Sequence, residues 1–288
     1  MERERWLQLH RVLCRLDKAA FRGVFRAAAV AAVQLWAVLH DRPTSWACAA
    51  ANWPAGLWRG PLPSQPTMSA RLRHDPRVAA LMTALGRTTE VAGEPPPLDC
   101  VKAIDGKPLP IGGYSRDPDA RWGKALKTFQ LGYKLFVVWG RSRMPSAWRV
   151  ASLNTSEQVM AQEMLPELSG GGYLLGDKLY DINKLHDAST AVGHQLVAPR
   201  KRPGTGLGHC RHSPARLRAL ELLGTRFGCE LHALRDRIER RFASLTAYGG
   251  GLAPLPAWVR RLHRVRLWVH AKLILHALHT PPPRPTAV

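Results

Sequence analysis

Apolar residues at Trp6, Leu9, Leu13 and Leu16, and again at Val24, Phe25 and Ala28, recur at helical spacing, so residues 1–40 read as helix. The segment holds no proline, and its one glycine, Gly23, marks where two helices would join. Pro43, Pro54, Pro61, Pro63 and Pro66, interleaved with tryptophans, then predict a loop whose aromatic rings anchor it to its neighbours. Thr67 is placed to cap a short helix carrying Ser69, Arg71 and Arg73 on an exposed side, with Met68 and Leu72 inward. Asp75-Pro76 opens the next helix, through Val78, Leu81, Met82 and Leu85. This pair fits the reading helix of a helix-turn-helix as well as an ordinary helical hairpin.

Beyond the stiff linker Pro95-Pro96-Pro97 the period changes. Val101–Ile104 predicts a strand, Asp105-Gly106 a tight turn and Lys107–Ile111 a returning strand, hence a hairpin. Strands follow at Leu131–Trp139, Trp148–Ser152, Tyr173–Gly176 and Gln195–Ala198. Helices are predicted over 154–168, starting at Thr155 or Ser156 and ended by Gly170–Gly172, over Asp181–Val192, and as one long amphipathic helix over 229–247. This order predicts an α/β fold, a mixed five-stranded sheet flanked by helices, preceded by an all-α region. The boundaries expected are a helical region at 1–94, a sheet-bearing domain at 98–280 with a basic insertion near 199–228, and a Pro-rich tail at 281–288.

Composition narrows the partners. The chain has 288 residues, 42 Lys+Arg against 21 Asp+Glu, and a formal net charge of +21, while 45% apolar residues suffice for a core. Three stretches lack acids altogether: Ala120–Ser156, Ala188–Leu220, and everything after Glu239, where Arg240, Arg241, Arg260, Arg261, Arg264, Arg266, Lys272 and Arg284 follow. One such run reads as a solvated face, but several together predict a surface for phosphates. The five cysteines are scattered and form no CxxC, which argues against a disulfide scaffold and for a reducing compartment. The longest apolar run, Ala27–Leu39, falls short of the ~20 residues of a membrane span. The start of the chain lacks the apolar core of a signal peptide. A soluble intracellular protein with no membrane partner is expected.

The region after Pro97 holds 14 carboxylates, and a metal site needs oxygens held rigidly together. Only Asp105 and Asp177 directly follow apolar strand runs, VKAI and YLLG, and they share a sheet edge if those strands are parallel neighbours. Glu239 flanks the helical stripe Leu231, Leu234, Ile238, Phe242 and Leu245, with Arg235 one turn before it. Three convergent carboxylates suit two Mg²⁺ ions acting on a phosphodiester. The plain alternatives are an Asp-Gly turn and a surface ion pair. Asp181 reads as a helix cap, and Asp117 and Asp119 begin a calcium-type loop that no later acid completes. Cys210, His212, Cys229 and His232 carry zinc-binding side chains at unusual spacing and read instead as residues of the basic insertion. No GxxxxGK[ST] is present, which argues against nucleotide hydrolysis.

Asp105 in AIDGKPLP, Asp177 in LLGDKLYD and Glu239 in RDRIERRF resemble, in order, the three motifs of DDE transposases encoded by bacterial insertion sequences. In one large branch the third motif reads Tyr-x2-Arg-x3-Glu-x6-Lys; Arg235 and Glu239 fit it, whereas His232 stands for the Tyr and Thr246 for the Lys. Tyr114–Gly123 also resembles the loop after the first Asp in this group. The resemblance covers 99–280 and implies an RNase H-like catalytic core. It implies cleavage at the ends of an insertion sequence and strand transfer into target DNA, with Asp105, Asp177 and Glu239 holding two Mg²⁺ ions and Mn²⁺ able to substitute. His232, Arg235, Arg240 and Arg241 would contact double-stranded element-end DNA, and Ser69, Arg71 and Arg73 would read its sequence. A DNA-bound homodimer in the bacterial cytoplasm, associated with the nucleoid, is the expected state. His232 and Thr246 keep open a catalytically decayed or domesticated DNA-binding protein, and a host DNA nuclease on the same core is a further alternative.

Overall fold

A computed structural model describes residues 2–18, 23–88, 100–125, 127–207, 211–247, 251–252 and 254–279. The Pro95–Pro97 linker with its boundary, Cys210 and the 281–288 tail lie outside the described residues. The chain begins with helices α1 (Glu2–Leu16), α2 (Ala27–Leu39), α3 (Thr44–Ala47), α4 (Gln65–His74) and α5 (Pro76–Thr88). Eleven of the thirteen residues of α2 are buried, so it is apolar all round and sits among other helices rather than at a surface. The Pro/Trp segment closes over it: Trp36 and Trp53 stack at 4.8 Å, and their indole N–H groups donate to the carbonyls of Asn52 and Ala47. Ser64, not Thr67, caps α4, because its hydroxyl accepts the Thr67 N–H.

The second part is an α/β arrangement with a mixed six-stranded sheet flanked by helices. Its strands are β1 (Val101–Pro110), β2 (Arg121–Ala125), β3 (Thr128–Trp139), β4 (Ala147–Ser152), β5 (Gly172–Leu175) and β6 (His194–Val197). β2 and β4 lie end to end along one edge of β3; β1 pairs with the other edge, followed by β5 and β6. β3 is antiparallel to β1, β2 and β4, whereas β1, β5 and β6 are mutually parallel. The sixth strand, β2, carries Arg, Gly and Lys and is mostly exposed, so nothing in its own pattern announces a strand. It exists because the first half of β3 offers it a ladder.

Two expected elements are corrected. Asp105-Gly106 is no turn: β1 runs straight through it, with Asp105 opposite Val137 and Gly106 opposite Phe136. Eight consecutive pairings to β3 outweigh the local turn tendency of Asp-Gly. The single helix over 229–247 is two, α9 (Arg226–Ala233) and α10 (Asp236–Ala247), broken at Leu234-Arg235. The apolar stripe continues across the break through Leu231 and Ile238, and so hides it.

Successive strand residues face opposite sides of the sheet and feed two cores. Leu135, Val137 and Trp139 join the cluster shared with α1, α2, α5, α10 and α11 (Leu262–His279). Phe136 and Val138 join the smaller cluster under α6 (Glu157–Met164) and α7 (Asn183–Ala191). The first cluster is continuous from Trp6 to Leu275, so the amino-terminal helices and the sheet bury one common apolar surface. Helix α11, absent from the predicted elements, lies between them: Val265, Trp268, Val269 and Ile274 are buried. Lys272, 1% exposed, closes an ion pair of 2.6 Å with Asp41.

Candidate functional site

The parallel pairing of β1 and β5 ends with Ala103 opposite Leu175; Asp105 and Asp177 each follow two residues further along, near enough that Asp177 helps raise the Asp105 carboxyl. β5 ends at Leu175, and Asp177 opens a short 3-10 turn by accepting the Leu179 N–H at 2.7 Å. Asp105 accepts its neighbour's N–H, from Gly106, at 2.8 Å. Ala103 belongs to the core on the α10 side, and strand alternation puts Asp105 on that same face. There Arg235, freed from helical geometry by the break between α9 and α10, spans two acids: 3.6 Å to Asp105 and 2.7 Å to Glu239.

A fourth carboxylate joins from the opposite face. Glu157 is the first residue of α6, a place where helix dipoles make acids common, so nothing in the sequence singles it out. It is held by Lys134 at 2.8 Å, and it hydrogen-bonds the buried Tyr180, whose hydroxyl burial and these acids push well above its ordinary value. Gly106 makes the approach possible: a Cβ there would lie 3.1 Å from Glu157 Oε1 and 3.0 Å from Lys134 Cδ.

The electrostatics follow from this crowding. Burial is the main influence that raises Asp105, with Glu157 and Asp177 adding to it. The Gly106 N–H and Arg235 only partly offset the rise, and the carboxyl is pushed up to about 6. Burial and Glu157 likewise raise Asp177 against the Leu179 N–H, Arg235 and Lys178. Carboxylate oxygens are the donors that a hard divalent cation takes, and negative charge raised in energy by its neighbours is what such an ion relieves. Among the described residues no three His, Cys, Asp or Glu side chains are gathered closely enough to hold a metal. Asp105 and Asp177 are the pair that the β1–β5 pairing brings together, while Arg235 holds Glu239 and Lys134 holds Glu157.

The expected DNA contacts divide. Arg240 is exposed beside the site. Arg241 donates to the carbonyls of Ser142 and Arg141 and stacks on Trp139, which fastens α10 to the loop between β3 and β4. His232 Nε2 lies 3.0 Å from the Gly176 carbonyl, which fixes α9 against the residue before Asp177. Thr246 donates to the Phe242 carbonyl within its own helix. Arg71 is turned inward and not exposed: it bonds Asp75 at 2.6 Å and the Phe25 carbonyl at 2.8 Å. Arg73 is exposed, and Ser69 lines a cavity beside it.

Three side readings also resolve. Asp181 does not cap α7, whose N-cap is Ile182; it is buried and takes a two-pronged bond from Arg216 at 2.6 and 2.7 Å. Asp117 and Asp119 accept the N–H groups of Arg261 and Leu262 and so cap the start of α11. The described members of the zinc set face separate partners, His212 facing Arg216, Cys229 the Leu223 carbonyl and His232 that of Gly176. No helix among the described residues is long and apolar enough to cross a membrane. No family model, curated protein or solved structure matches the chain.

Proposed function

We propose that this protein is a DNA transposase of the DDE type, in which Asp105, Asp177 and Glu239 form the acidic centre. The observation that carries the reading is the parallel pairing of β1 and β5, which brings Asp105 in β1 and Asp177 just beyond the end of β5 within each other's electrostatic influence, with Arg235 linking Asp105 to Glu239. The strand path β4-β3-β1-β5-β6 fits the mixed five-stranded sheet of the RNase H-like core that the resemblance implies, with β2 as an addition. Asp105 and Asp177 would hold Mg²⁺, and Glu239 would complete the set on leaving Arg235. Divalent ions held there would supply charge to stabilise the attacking and leaving oxygens of an in-line phosphodiester displacement. The chain's own contributions are positional. His232 pins the backbone ahead of Asp177, Gly106 keeps Asp105 and Glu157 within electrostatic reach, and Arg235 is released beside the acids as a cation for a DNA phosphate.

The test uses linear DNA carrying the sequences that flank the coding region on both sides. Purified protein with Mg²⁺ or Mn²⁺ nicks it at fixed positions, then joins the freed 3′-hydroxyl to a second DNA. Chelation and Asp105→Ala each abolish nicking, and unchanged cleavage by that variant overturns the assignment. Thr246, spent on its own helix where the branch has a Lys, favours a second reading as a decayed DNA-binding protein. End binding without nicking under either metal would establish it.

A further inference from the structure

A second concave surface lies away from the acidic centre. It is a cavity of about 250 Å³ bounded by the end of α2, α3, α4 and the start of α11. Arg42, Arg73, His263 and Arg264 line it, with Ser69 and Trp258 among the remaining walls. Arg73 donates to His263 Nε2 at 3.1 Å, so the imidazole accepts as its neutral form. Burial, and then Arg73 and Arg264, hold the His263 imidazole below its ordinary value, against a smaller opposing pull from Asp119. No carboxylate lines the cavity, and among the described residues none of the three arginines takes part in a salt bridge. Gln34, 6% exposed, lies in its wall with the amide oxygen taken by Thr44 at 2.9 Å, which leaves the amide N–H group to an occupant.

Cations gathered without counter-charge around a concave, polar-walled space select an anion. The volume lies below the ~300–1,000 Å³ of pockets that enclose a whole drug-sized ligand, and suits one phosphate with its waters. Trp258 is 40% exposed at the rim, where an indole can stack a base beside that phosphate. We infer that this pocket grips a backbone phosphate of a nucleic acid, with Arg73 and Arg264 as its principal ligands and Trp258 as a platform for the adjoining base. The inference rests on the nucleic-acid partner of the reading above and is independent of its cleavage chemistry.

The test is binding of the full chain to fluorescent DNA duplexes of two unrelated sequences, over a salt series and in the presence of chelator. Each phosphate contact contributes a slope of about 0.9 in log affinity against log salt. Arg73→Gln with Arg264→Gln is expected to lower that slope by one to two and to weaken both duplexes equally. Arg73→Lys with Arg264→Lys keeps the slope. Trp258→Ala loosens single-stranded DNA about five-fold or more and leaves the slope alone. An unchanged slope in the glutamine pair overturns the proposal, as does equal loss in the lysine pair, whose charge is intact. If the glutamine pair keeps its slope on DNA but no longer broadens the ³¹P signal of inorganic phosphate, the pocket serves free phosphate and the nucleic-acid assignment falls. With chelator present these titrations read binding alone, so an absence of nicking leaves them unaffected.

Discussion

Asp177 and Asp181 lie four residues apart in one loop, and the fold treats them in opposite ways. Burial pushes both carboxyls upward. At Asp181 the two-pronged Arg216 bond, His186 at 3.4 Å and the Lys201 N–H outweigh burial and hold the acid well below the carboxylate range. At Asp177, as at Asp105, the strongest influence from a neighbouring charge is that of another acid, Glu157, and the group stays above its ordinary value. The difference separates a carboxylate used to fasten α7 to α8 (Pro214–Leu223) from carboxylates whose charge is left for something else to satisfy. Their place in the sequence already sets Asp177, behind an apolar strand run, apart from Asp181; their partners show what each carboxylate does.

The largest expected effect breaks the fastened side of that comparison. Asp181→Ala leaves the Arg216 guanidinium, 16% exposed, without its counter-charge and should cost about 3–5 kcal/mol in urea unfolding. Asp181→Leu combined with Arg216→Met should recover much of that, because it removes both charges together. The Asp181 contribution is present above the ordinary carboxylate range and is lost as pH falls through the depressed native value. A loss under 1 kcal/mol for the single variant would mean that Asp181 is no fastening.

Asp105 should behave with the opposite sign. A native carboxyl raised from 3.8 to about 6 stabilises the fold fully below pH 3.8 and loses that contribution as pH rises through 6. The rise corresponds to roughly 3 kcal/mol at 1.36 kcal/mol per pH unit. Without divalent cations, Asp105→Asn should therefore raise stability at pH 8 by about 1–3 kcal/mol, less the share lost with the 3.6 Å Arg235 contact. At pH 4 the gain should shrink toward zero. Thermal unfolding at the two pH values checks this, and a variant less stable than the parent at pH 8 would place Asp105 in the same class as Asp181.

Much of the frame is legible in the chain. The alternation and apolar runs at Leu131–Trp139 and Tyr173–Gly176 predict β3 and β5, and the approach of Asp177 to Asp105 follows once β1 and β5 pair in parallel. What misleads is local chemistry that long-range pairing overrides. Asp105-Gly106 ahead of Pro108 has every feature of a turn, yet β3 runs alongside it. The acid-free carboxy-terminal stretch reads as charge for phosphates, while Lys272 is sealed against Asp41 and Arg260 and Arg266 bond Pro256 and Val150 carbonyls. Glu157 has no sequence signal at all, since only the crossing of α6 over Gly106 brings it to the acids.

The smallest expected effect on stability is also the sharpest separation of the two kinds of acid. Glu239 is 58% exposed, and its bond to Arg235 is an i,i+4 pair on a helix surface, worth about 0.3–0.5 kcal/mol. Glu239→Gln should therefore unfold within half a kcal/mol of the parent, because no buried charge is stranded and Arg235 retains Asp105. Metal-dependent nicking should nevertheless fall by three orders of magnitude or more, a loss of about 4 kcal/mol in the barrier that the fold never registers. Such a residue, nearly free to remove for folding and indispensable for chemistry, is what distinguishes a cation ligand from a surface ion pair. If Glu239→Gln nicks within ten-fold of the parent, Glu239 is a surface pair to Arg235, and Glu157 is the acid that completes the site.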